Sequence, residues 1–152
     1  MAKKWKIKGL NDETPLLQAS KLILKQRLNN VNGTIKKYFS DDSAENLHQV
    51  RIALRRLRYN LEVFFSCFDK KKIFPFYAMV EHLQDITGGL RDLDVLLINI
   101  NENIKADEIN KYFELKTNIE QRRKDLYDNL KLSLMEFLHS KSLKEFKKII
   151  YD

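Results

Sequence analysis

A chain of 152 residues with 43% hydrophobic and 32% charged residues can form one domain that buries roughly 70% of the surface its unfolded chain exposes, which excludes a disordered polyelectrolyte. Four Gly and two Pro are too few for a turn-rich β architecture, and the single Cys67 excludes an intrachain disulfide and a cysteine-based metal site while suiting a reducing compartment. The formal charge of +7 points to anionic partners such as nucleic acid, polyphosphate or an anionic membrane surface.

Residues 1–12 carry four lysines and Trp5 without helical periodicity, and are expected to form a basic arm anchored by Trp5. They lack the apolar run of a signal peptide, no segment has the length and apolarity of a membrane span, and a cytoplasmic setting follows as the expectation. Residues 13–152 are expected to form a single helical domain. Leu16, Leu17, Ile23, Leu24, Leu28, Val31 and Ile35 recur at helical spacing after Pro15 and predict a first helix ending near Phe39. Asp41, Asp42 and Ser43 supply capping side chains for a second helix over about 43–68, striped by Leu47, Val50, Leu54, Leu57, Leu61, Phe64 and Phe68. Lys70 to Lys72 read as a turn and Pro75 as the start of a third helix, which Gly88 and Gly89 are expected to stop. A fresh helix is predicted from Arg91-Asp92-Leu93-Asp94, a long one from Asp107 to about His139, and a short tail helix around Leu143, Phe146 and Ile150. Short links between long amphipathic helices imply an all-α, antiparallel bundle of five or six helices.

The second helix carries the densest chemistry. Between Glu45 and Glu62 there is no acid, yet Arg51, Arg55, Arg56 and Arg58 all lie there, half of the chain's eight arginines. At about 100° per residue, with His48 at zero, Arg51 falls near 300°, Arg55 near 340°, Arg58 near 280° and Tyr59 near 20°, beside the apolar stripe; Arg56 lies apart near 80°. Like charges four residues apart cost a helix ~0.2–0.5 kcal/mol, so an anionic ligand would offset a real penalty. The planar guanidinium matches two phosphate oxygens at once, whereas an ammonium does not, and helix propensity cannot explain the choice of Arg over Lys. Arg51 to Arg58 spans about 10 Å of helix, longer than one phosphate and suited to an extended polyanion. Lys21 and Lys25, one turn apart on the first helix, could flank the ligand or form a plain solvated face.

His48-x-x-Arg51-x-x-x-Arg55-Arg56-x-Arg58, followed by Gly89-Leu90-Arg91-Asp92-x-Asp94-Val95-Leu96, resembles the CHAD family of conserved-histidine α-helical domains. The likeness extends more weakly from about Leu17 to Tyr151. It implies binding of inorganic polyphosphate in a basic channel between two helical bundles, with His48, Arg51, Arg55 and Arg58 facing the ligand, Arg91 joining them, and Lys21 and Lys25 as looser matches. Arg56, Tyr59, Asp92 and Asp94 would have supporting roles, the aspartates either as a helix cap and salt bridge or as groups orienting an arginine. The resemblance also implies association with CYTH-type proteins and a place at polyphosphate granules. No second His-and-Arg run follows residue 60, so the chain looks like half of such a domain, and a homodimer is expected to rebuild the channel.

No Walker-type loop, dinucleotide fingerprint, HExxH helix or alternating Glu-x-Glu-x-Lys signature occurs, so neither a cofactor, a metal nor an enzymatic activity is expected. Two other readings stay open: a nucleic-acid-binding helical protein using the same arginines, and a structural helical module docking an acidic protein.

Overall fold

The computed structural model describes residues 6–152; the expected anchoring role of Trp5 lies outside them. Among the described residues there are five α-helices: α1 (Leu16–Ser40), α2 (Ala44–Phe64), α3 (Lys70–Asn103), α4 (Ile109–His139) and α5 (Lys141–Tyr151). Short 3-10 turns at Phe65–Cys67 and Ala106–Glu108 link α2 to α3 and α3 to α4. Helices α1 to α4 run antiparallel in succession, and α5 folds back onto α1 and α3.

Caps explain several boundaries. The Ser43 hydroxyl accepts from the Asn46 amide at 3.3 Å to open α2, the Asp69 carboxylate accepts from the Lys71 amide at 3.0 Å to open α3, and the Ser140 hydroxyl accepts from the Leu143 amide at 3.1 Å to open α5. Lys70 to Lys72 are therefore the first turn of α3 and not a separate turn, and Pro75 lies inside that helix. Helix α2 ends at Phe64, four residues before the expected point, as the chain tightens into the 3-10 turn.

The largest departure is at Gly88-Gly89, which does not stop α3. Neither glycine adopts a positive φ, and the helix runs through them to Asn103. Each costs ~1 kcal/mol relative to Ala in a helix interior, but Ile86, Thr87 and Leu90 around them are buried, and a Cβ on Gly89 would lie 3.6 Å from Leu126 of α4. Packing against α4 overrides the local stop signal. Arg91, Asp92 and Asp94 consequently sit in mid-helix, where no helix N-terminus is available for the aspartates to cap.

One core joins all five helices: Leu24, Leu28, Val31 and Ile35 from α1, Val50, Leu54 and Leu57 from α2, Phe76 and Val80 from α3, Leu130, Leu134 and Phe137 from α4, and Phe146 and Ile150 from α5. Phe76 stacks on Phe146 with ring centroids 3.9 Å apart and approaches Phe137 at 5.8 Å. The α1–α2 loop is tied to α4, because Tyr127 donates its hydroxyl to the Asp42 carbonyl at 2.9 Å and Lys131 meets the Asp42 carboxylate at 2.7 Å. The Lys131 hydrogen bond holds that carboxyl below its ordinary value. Beyond this core, α3 and α4 continue as a hairpin in which, between Leu90 and Leu130, only Ile119 is buried.

Candidate functional site

The buried stripe of α2 turns the remaining face outward, and the neighbouring helices cut a groove along each side of it. On the α3 side lie two successive clefts that share Arg51. The first, about 330 Å³, brings together His48 and Arg51 of α2 with Thr87, Arg91 and Asp94 of α3. The second, about 420 Å³, is lined by Arg51 and Arg55 together with Gln84, Asp85, Gly88 and Asp92. Arg91, 33 residues or more from the α2 arginines in sequence, is thus carried to the His48 end of the groove by the antiparallel register of α2 and α3.

Arg51 and Arg55 have no carboxylate within 4 Å among the described residues, whereas Arg58 is committed. Its Nε donates to Glu62 at 3.0 Å, one terminal nitrogen donates to Glu81 at 3.2 Å and the other to Gln84 at 3.5 Å, and its guanidinium lies 5.9 Å from the Tyr77 ring. Arg58 faces the same helix as Arg51, as the helical wheel requires, but it serves as a clamp between α2 and α3. Tyr59 is 53% exposed on the ridge of α2.

The remaining expected residues divide between the groove and other places. Asp94 pairs with Arg123 of α4, so its salt bridge fastens the hairpin and does not orient an arginine of the groove. Asp92 lines the Arg51–Arg55 cleft without a paired cation within 4 Å. Lys21 and Lys25 line neither arginine groove. They border a cleft against the end of α5, where the Lys25 ammonium lies 4.7 Å from the Tyr151 ring centroid.

On the α1 side, Arg56 meets residues that sequence patterning did not single out: Arg27 and Lys37 of α1, in a groove of about 440 Å³. Arg27 is isolated from other arginines along the chain, so no local charge run marks it. Only its position on the same side of α1 as Thr34 and Lys37 hints at a shared face. Among the described residues no group of three or more His, Cys, Asp or Glu side chains could hold a metal ion, and no helix is long and apolar enough to cross a membrane.

No curated protein and no solved structure matches the chain. The profile described as CHAD domain matches residues 10–150 and so takes in all five helices and both flanks of α2. The chain belongs to the CHAD domain family, which is associated with polyphosphate binding.

Proposed function

We propose that the chain is a non-catalytic module that binds inorganic polyphosphate, or a similar extended polyanion, along the α2–α3 groove. The observation that carries this reading is the convergence of His48, Arg51, Arg55 and Arg91 on one open groove in which Arg51 and Arg55 lack a paired carboxylate. Guanidinium groups spaced along a groove favour a ligand with many phosphoryl groups, because each exposed contact contributes only ~0.2–1 kcal/mol. Calorimetry with orthophosphate, triphosphate and long-chain polyphosphate at two salt concentrations tests this. Affinity is expected to rise with chain length and to fall with salt, whereas equal affinity for all three would indicate a discrete small-anion pocket.

The same proposal includes a two-copy assembly. The far end of the α3–α4 hairpin leaves Leu96, Ile98, Ile109 and Phe113 exposed, and Ile104, Ile109, Tyr112 and Phe113 line an apolar-walled cleft there. Such a surface can hold two chains together despite the repulsion of their arginine faces, and a closed two-fold pair is the commonest soluble arrangement. Light scattering is expected to give a dimer that polyphosphate stabilises. A strict monomer that still binds the polymer tightly would remove the second copy from the account.

A further inference from the structure

The α1–α2 groove lies on the opposite flank of α2 from the arginines discussed above. Its long walls are antiparallel: Arg27 on α1 stands across from Arg56 on α2, and further along, Lys37 and Thr34 on α1 stand across from Gln49. Ten residues separate Arg27 from Lys37, or roughly 15 Å of helix at 1.5 Å per residue. Cations therefore stand at both ends, and no carboxylate lines the walls between them.

Arg27 makes this groove more than a solvated basic face. Its Nε is buried and has no hydrogen-bond partner. Burial, and then the charge of Arg56, push its guanidinium below the ordinary value, and both arginines line the same groove. A buried donor on a charged group that lacks an acceptor is costly, and an oxyanion or water in the groove would relieve that cost. The neighbouring groove relieves the same problem differently, since Arg58 is neutralised by Glu62 and Glu81. Gly33 also bears on the groove, because it lines the wall and a Cβ there would meet nothing within 4 Å. A glycine that packing does not require, in a helix interior where it costs ~1 kcal/mol relative to Ala, keeps that stretch of wall free of a side chain.

We propose that the α1–α2 groove is a second oxyanion site, separate from the α2–α3 groove, in which Arg27 and Arg56 together hold a phosphoryl group and Lys37 meets the far end of a short phosphoryl chain. The fork of one guanidinium takes two oxygens of a tetrahedral anion, and the second guanidinium takes the remaining charge. This inference does not depend on polyphosphate occupying the other groove.

The test follows the Nε–H resonance of Arg27 by nitrogen-edited NMR, assigned by its loss in Arg27→Lys, while triphosphate is added to the full chain. A saturable shift is expected, sodium chloride of matched ionic strength should not reproduce it, and it should persist in the double variant Arg51→Met/Arg55→Met. Arg56→Met should weaken the triphosphate response about fivefold, the scale of one lost exposed charge contact. Gly33→Leu should block the site while retaining every cation, and because it replaces a helix-interior glycine it should not unfold the chain. Absence of the shift, its reproduction by chloride, its loss in the Arg51/Arg55 variant, or its survival in Gly33→Leu would each overturn the proposal. Long-chain polyphosphate affinity that is unchanged in Arg51→Met/Arg55→Met, with the Arg27 shift intact, would remove the reading of the α2–α3 groove and leave this one standing.

Discussion

The two flanks of α2 handle positive charge in opposite ways. Towards α3 the cations are many but share their groove with acids: Arg58 is clamped by Glu62 and Glu81, and Asp85 and Asp92 line the cleft that holds Arg51 and Arg55. Towards α1 the cations are few but unopposed, and Arg27 keeps a buried donor without an acceptor. The number of arginines on a helix face is therefore a poor measure of its capacity for an anion. What matters is which guanidinium donors the fold has left unspent.

The sharpest way to break this comparison is to remove the two unspent arginines of the α3 flank. Arg51→Ala/Arg55→Ala is expected to weaken long-chain polyphosphate binding about tenfold, since each exposed contact contributes ~0.2–1 kcal/mol. Urea unfolding should show stability unchanged or slightly raised, because a like-charge pair at four-residue spacing costs a helix ~0.2–0.5 kcal/mol. An equal loss of stability and affinity would mean that these arginines hold the bundle together.

Arg58→Ala should behave in the reverse way and so sharpens the same contrast. Removing two partly exposed ion pairs is expected to lower unfolding free energy by about 1 kcal/mol. Polyphosphate affinity should change by less than about twofold, because its donors already face Glu62, Glu81 and Gln84. An affinity loss matching that of the Arg51/Arg55 variant would show that Arg58 exchanges its carboxylates for the ligand.

These contrasts also mark where sequence reasoning reaches and where it stops. Helical periodicity located α1, α2 and α5 to within a few residues, because amphipathic stripes such as Leu47 to Leu61 are dictated by burial on one face. The helical wheel set Arg56 apart from Arg51, Arg55 and Arg58, and the fold places it on the other flank. Pairings across helices were not legible. Glu81 lies 23 residues from Arg58, and Arg27 meets Arg56 only through the register of α1 against α2. The same register sends Lys21 and Lys25 towards the end of α5 and away from the arginines. Gly88-Gly89 is misleading for a related reason, because a local stop signal carries no information on the approach of α4, where Leu126 lies 3.6 Å from the position of a Cβ on Gly89.

The central claim is that α2 and α3 form a groove for a thin, extended polyanion and not for any phosphate-bearing polymer. Clefts of about 330 and 420 Å³ follow one another along the proposed path, and neither is lined by a Phe, Tyr or Trp side chain on which a base could stack. The most direct test is competition calorimetry between long-chain polyphosphate and DNA of equal total charge at physiological salt. Polyphosphate is expected to displace DNA, and the preference should disappear in Arg51→Ala/Arg55→Ala. DNA that binds as tightly as polyphosphate, or a preference that survives loss of both arginines, would contradict the account.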